Sequence, residues 1–238
     1  MEHDQAMTLA ETEYARFLAL VDRLEPEDWR QPTACPGWDV KAMVAHVLGM
    51  VHYFGDGEEQ LRQAKAAGER AQQHHVAWID ALTALQVEER TALSPAELGE
   101  CLRSACPRTL VARQATSAEE RAVKFNPGPP YDEEWSRGYL IDVIHTRDVW
   151  MHRSDISVSA GHTFVLTADH DGMIVADVVD DWARRHGQAF SLVLTGPGGG
   201  SFSQGDGGEQ HEVDAVEFCR IVSGRGEGAG LLAAEVPF

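Results

Sequence analysis

The stretch RDVWMHRSD, residues 147–155, sets a carboxylate, an imidazole and a second carboxylate at helical spacing. Asp148 and His152 are four apart and Asp155 follows three later, so on a helix of 3.6 residues per turn all three share one face. An imidazole nitrogen and a carboxylate oxygen at i, i+4 form a chelating pair suited to zinc. A third ligand from another helix, with a position left for water or thiolate, would make such a site catalytic in type. Asp155 is spaced to hold the other ring nitrogen of His152. The competing reading is a partly exposed charged face, with Arg147 and Arg153 paired to the aspartates. Spacing alone leaves both readings open.

A third ligand has one good source. If Asp39–Phe54 is a helix, then Val40, Met43, Val44, Val47, Leu48 and Val51 form its apolar stripe, and His46 lies about 130° away. Its neighbours there are Ala42, Ala45, Gly49 and Met50, with none of the Lys, Glu or Gln of a solvated face. A helix apolar all round is buried all round, which leaves His46 in a lining of small residues with room for a ligand. A satisfied core histidine or a surface histidine are the alternatives.

The elements that must position these groups are helical up to about residue 160. Leu9, Phe17, Leu20, Val21 and Leu24 mark a first amphipathic helix ending near Glu25-Pro26. QPTACPGWDV is a loop, and Asp39 caps the helix that follows. A third helix is expected over about 58–86, and a fourth is opened by Ser94-Pro95, with Pro107 kinking or interrupting it. FNPGPPYD breaks the chain before a long last helix from about Glu133 to Ser157. Beyond Gly161 the texture changes. FVLTADHD and FSLVLTG read as strands flanking a helix, a glycine-rich stretch reads as hairpin turns, DAVEFCRIVSGR reads as a short helix, and LLAAEVPF reads as a closing strand. The expectation is a mainly α protein, with a helical bundle over residues 1–160 and a smaller C-terminal α/β domain over 161–238.

Composition narrows the partners. The chain has 238 residues, 43% hydrophobic and 24% charged, with a formal net charge of −18. That field disfavours nucleic acid and anionic membrane surfaces. The N-terminal residues lack an apolar signal region, and four scattered cysteines without a CxxC pair read as reduced thiols, so a cytoplasmic location is expected. Oligomeric state is not readable.

LEPEDWRQPTACPGWDVKAMVAHVLG, followed far downstream by Asp148-Val-Trp-Met-His152-Arg-Ser-Asp155, resembles the paired signatures of the mycothiol-dependent maleylpyruvate isomerase family, within the DinB-like metalloenzyme superfamily. The closing DAVEFCRIVSGR…LLAAEVPF is similar to that family's C-terminal α/β domain. The resemblance implies a DinB-like four-helix bundle, a zinc-type divalent site from His46, Asp148 and His152, and mycothiol, an actinobacterial thiol, as cosubstrate. The family pattern has Glu where this chain has Asp148, a shorter carboxylate that draws its oxygen back toward the helix. A divalent ion favours thiolate over thiol, and the thiolate can add to an electrophilic carbon of a small molecule. Addition to a cis-enoyl acid followed by elimination is isomerisation; release of the adduct is S-transfer. A non-catalytic metal- or thiol-binding protein on the same bundle is the alternative from another class.

Other residues invite roles. Arg225, flanked by glycines in SGRGEG, is expected to clamp a carboxylate of substrate or thiol, as a catalytic and cosubstrate-binding residue, against the alternative of a surface arginine. His145, one turn before Asp148, is expected near the cosubstrate, with a core or surface role as the alternative. Cys35 reads as structural, Trp29 and Trp38 as core and loop anchors, and at most one of His74 and His75 can face a pocket.

Overall fold

The structure is a computed structural model describing residues 1–238. The chain forms two compact units, Met1–His162 and Thr163–Phe238. The fold is mainly α, a helical bundle with a small strand region.

In the first unit, α1 (His3–Val21), α2 (Val40–Gly55), α5 (Pro95–Gln114) and α7 (His145–Ser159) pack as a closed ring, α1 on α5, α5 on α2, α2 on α7 and α7 on α1. Phe17 and Leu20 of α1, Met43, Val47 and Leu48 of α2, Leu98 and Leu102 of α5, and Val149 and Ile156 of α7 fill the ring. Burial of such stripes is the main favourable contribution to folding. Local signals set the helix starts: Asp39 accepts the Ala42 N–H at 2.8 Å, and Ser94 with Glu97 makes a reciprocal capping box.

Several expectations change. The helix expected over 58–86 is two helices, α3 (Gly57–His74) and α4 (Trp78–Glu88), which pack on each other and on α2. The break falls at His75, which caps α3 in the left-handed region at φ 55°. Both His74 and His75 are exposed. α5 runs through Pro107 without interruption, because the ring packing on both sides holds it. A short α6 (Ala118–Ala122) precedes the FNPGPPYD break, and a two-stranded pairing of β1 (Lys124–Phe125) with β2 (Trp135–Ser136) brackets it. The last bundle helix begins at Arg137 rather than Glu133 and passes through a π-helical turn over Tyr139–Ile144 that leads directly into α7. A wide turn of this kind frees backbone carbonyls and is frequent beside functional groups.

The second unit holds α8 (Asp171–His186), a three-stranded sheet and α9 (Ala215–Val222). β3 (Phe190–Thr195) is central, antiparallel to β4 (Gly200–Gln204) and parallel to β5 (Glu209–Asp214). Phe190, Leu192 and Leu194 alternate inward along β3, and Trp182 of α8 packs edge-on against Phe190 and Phe218. FVLTADHD forms no strand. LLAAEVPF forms a 3-10 turn over Gly230–Ala233 rather than a strand, and the Leu231 carbonyl accepts from the Trp182 indole at 2.9 Å.

Candidate metal centre

α7 is buried along nearly its whole length although it is rich in charge. Buried ionisable groups are costly unless paired, and here the pairing is specific. Arg153 is forked by Glu13 of α1 at 2.6 and 3.1 Å, so it is not simply a partner of the neighbouring aspartates. Asp155 faces His152 Nδ1 at 3.5 Å, on the side the spacing anticipated.

On the other side of the His152 ring, Nε2 lies 3.2 Å from Asp148 Oδ1. His46 comes in from α2 with its own Nε2 3.5 Å from the same oxygen. The two imidazole planes stand at 90° with centroids 5.1 Å apart. One ligand atom from each of His46, Asp148 and His152 lies within 4.8 Å of the others. Donors held about 2.1 Å from a tetrahedral cation are about 3.4 Å apart, so the 3.2 and 3.5 Å separations fit a zinc-sized ion. Asp148 Oδ2 is buried without a hydrogen-bond partner, a second sign that the carboxylate is oriented for something besides protein. Burial works to raise the Asp148 carboxyl, but the His152 and His46 imidazoles outweigh it and hold it well below the usual carboxylate range. It therefore carries its charge at neutral pH.

What orients His46 was not visible in the sequence. Gln86 of α4 accepts a hydrogen bond from His46 Nδ1 at 2.8 Å through its Oε1. Because the acceptor is a carbonyl oxygen, the proton is on Nδ1 and the Nε2 lone pair faces Asp148 and His152. Gln86 is itself held: its Nε2 donates to Gln63 Oε1 at 2.9 Å and to Met50 Sδ at 3.2 Å. Gln63 in turn donates to Glu59 at 2.8 Å, and Arg62 grips both Glu59 and Glu89 at 2.7 Å. The approach needs Gly49, since a Cβ there would stand 2.5 Å from Gln86 Cβ. The only sequence traces are a glycine three residues after His46 and a glutamine inside an apolar helix.

Trp38 also exceeds its expected anchoring role. Its ring lies 5.1 Å from that of His46 and 6.4 Å from that of His152, so it covers the cluster from the loop side. Cys35, read as structural, offers its sulfur within 4.8 Å of His152 and Asp155 ligand atoms. Trp29 is a core residue as expected.

His145 has no exposed surface. Its Nε2 is engaged by the Tyr14 hydroxyl at 2.8 Å and its ring packs on Phe54 at 4.4 Å. Burial first, then the Arg113 charge, hold its imidazole well below the ordinary histidine range. Its Nδ1 is buried without a hydrogen-bond partner. Arg225 lies in the second unit, in the turn after α9, where its N–H donates to the Arg220 carbonyl at 2.8 Å.

Residues 10–157 match the family of the mycothiol maleylpyruvate isomerase N-terminal domain. Among solved structures, a histidine-to-alanine mutant of the mycothiol-dependent maleylpyruvate isomerase is similar with a TM-score of 0.60 and 15% identity, covering 95% of this chain and 90% of that one. A structure titled as the mycothiol-dependent maleylpyruvate isomerase itself is similar with a TM-score of 0.59 and 16% identity, over the same shares. At these identities the likeness is one of fold. No curated protein matches the chain. No helix is long and apolar enough to cross a membrane, and all four cysteines are free.

Proposed function

This chain belongs to the mycothiol maleylpyruvate isomerase N-terminal domain family, and on that premise we propose that it is a divalent-metal-dependent enzyme using mycothiol as cosubstrate. The reaction is addition of the thiolate to a small electrophile, with cis-trans isomerisation of a cis-enoyl acid of the maleylpyruvate type as the favoured outcome and S-transfer as the variant sharing its first step. The observation that carries the reading is the convergence of His46 Nε2, Asp148 Oδ1 and His152 Nε2 on one small volume.

His46, Asp148 and His152 would hold the ion, and their nitrogen and oxygen donors suit Zn2+. When bound, the ion supplies the positive charge that favours thiolate over thiol at neutral pH. The protein's own groups prepare for this. Gln86 keeps the His46 proton on Nδ1, which presents its Nε2 inward, and the Asp155 carboxylate stands 3.5 Å from the outer nitrogen of His152, where it favours a proton on that side. Asp148 would bring one negative charge against the two positive charges of such an ion, and the remaining positive charge would be met by a thiolate. Trp38 shields the imidazoles from the loop side and lowers the local dielectric. For Arg225 the assignment rests on side-chain chemistry: a guanidinium fork suits a carboxylate of substrate or thiol, and Arg225→Lys keeps the charge while losing the fork.

The test is metal analysis of the purified protein together with a thiol screen. The expected result is one divalent ion per chain and turnover of a cis-enoyl acid with mycothiol, both lost in the His46→Ala/His152→Ala double variant. Full metal retention in that variant would sink the site. Activity with glutathione or cysteine but not mycothiol would overturn the cosubstrate, and a bound ion with no thiol-dependent turnover would favour the non-catalytic alternative.

A further inference from the structure

In a chain of net charge −18, one cavity of the helical unit carries two arginines, neither of them in a close ion pair with a carboxylate. It has a volume of about 110 Å³ and is lined by Tyr53, Phe54, Arg113, Arg137 and Ile141 among others; none of His46, Asp148 and His152 lines it.

Arg113 is 1% exposed, yet every acceptor it reaches is neutral. It donates to the Tyr14 hydroxyl at 3.1 Å, to Thr146 Oγ1 at 2.8 Å and to the Ile141 carbonyl of the π-helical turn at 2.6 Å. Its Nε has no acceptor at all. A guanidinium taken out of water at a cost of several kcal/mol ordinarily has an anion beside it. Arg137 is half-buried and its backbone N–H donates to the Val123 carbonyl; Glu120 feels its charge but spends its own carboxylate on the Ser117 cap of α6 and does not line the cavity. The wall has one carboxylate, Asp56, whose Oδ1 accepts the N–H groups of Glu58 and Glu59 as the cap of α3 and which forms no ion pair with either arginine. Two guanidiniums against one carboxylate leave the wall with a net positive charge, on a protein whose overall field repels anions. Phe54 and Ile141 give the same cavity an apolar side.

We propose that this cavity is a binding site for a small organic carboxylate, its charge met by Arg113 and Arg137 and its short carbon chain laid against Phe54 and Ile141. Size sets the class: a cavity of about 150 Å³ accepts the six heavy atoms of benzene, so this one suits about four or five. A planar carboxylate matches the guanidinium fork, and the apolar wall favours a carbon tail over a symmetric oxyanion.

The experiment uses the full chain with metal removed by chelator, so its outcome does not depend on the ion site. Propionate and its neutral isostere propionamide are titrated by calorimetry, beside inorganic phosphate. A charge-assisted pair is worth about 1.5–3 kcal/mol, so propionate should bind at least about tenfold more tightly than propionamide, and Arg137→Gln should weaken propionate by about tenfold or more. Arg137→Lys should retain part of the affinity. The half-buried Arg137 is varied rather than Arg113, whose loss endangers the fold, and an unchanged thermal midpoint confirms that the variant is folded. Equal binding of propionate and propionamide, or propionate affinity unchanged by Arg137→Gln, would overturn the site. Phosphate binding as tightly as propionate would overturn the carboxylate assignment.

Discussion

Gln86→Leu separates orientation of a ligand from possession of it. Leucine is close in volume and apolar, so the packing of α4 on α2 survives while one acceptor disappears. Two groups are then stranded in a fully buried place: the His46 Nδ1 proton, which loses its 2.8 Å acceptor, and Gln63 Oε1, which loses its 2.9 Å donor. Each buried unsatisfied group costs about 1–3 kcal/mol. His46 can relieve its own share by moving the proton to Nε2 or rotating the ring. Either response removes the Nε2 lone pair from its position 3.5 Å from Asp148. Loss of an outer hydrogen bond of this type costs about 10–100-fold in metal affinity, equivalent to about 1.4–2.7 kcal/mol. The assay is competition with a chromophoric zinc chelator, run beside denaturant unfolding of the metal-free protein. A second readout is nitrogen NMR of the metal-free chain, in which His46 should carry its proton on Nδ1 in the parent and lose that preference in the variant. Gln86→Glu, which keeps an acceptor at the same reach, should recover much of the affinity. An unchanged zinc affinity in Gln86→Leu, or an Nε2-protonated His46 in the parent, would refute the reasoning.

Two further outcomes follow from the same packing and charges. Gly49→Ala places a Cβ 2.5 Å from Gln86, so it should destabilise by about 1–3 kcal/mol through overpacking and weaken zinc binding. Gly68→Ala on α3, where a Cβ meets nothing within 4 Å, should stabilise by about 0.5–1 kcal/mol and leave zinc binding alone; unfolding midpoints and chelator competition read both. The metal-free protein should also be labile at both ends of the pH scale. His145 is depressed, so the unfolded chain takes up its proton first, and stability should decline as pH falls below 6.5 toward the folded value. Asp148 is also depressed, so its contribution is complete above 3.8 and is lost as pH falls through its folded value. Burial pushes the Tyr14 hydroxyl up to about 12, so the unfolded state gains by ionising first and stability should fall between pH 10 and about 12. Unfolding free energies measured across pH in chelator check all three, and a His145→Gln variant with the same decline just below pH 6.5 would contradict the histidine part.

Much of the chemistry is local and therefore legible in the chain itself. Helical periodicity puts Asp148, His152 and Asp155 on one face whatever surrounds them, Asp39 and Ser94 begin helices through their own side chains, and the alternation in FSLVLT makes a strand with one buried face. The paired motifs around His46 and Asp148–His152 carry the family likeness for the same reason, since short-range spacing is written directly in sequence.

What required the tertiary structure is every relation between residues far apart in the chain. His46 and Asp148 are 102 residues apart, and only the packing of α2 on α7 brings their donor atoms to 3.5 Å. Gln86 can hold His46 because the helix expected over 58–86 breaks at His75 and α4 turns back onto α2 against Gly49. Local propensity did not reveal that break, because one left-handed residue costs little beside the burial gained when α4 docks. LLAAEVPF shows the opposite error: its composition suits a strand, but it pairs with neither edge of the β4-β3-β5 sheet and closes as a turn with the Leu231 carbonyl on Trp182. Sequence spacing determined which groups could act together along one helix. Packing decided that α2 brings His46 to the Asp148–His152 face, which of its nitrogens carries the proton, and where a buried arginine is left without an anion.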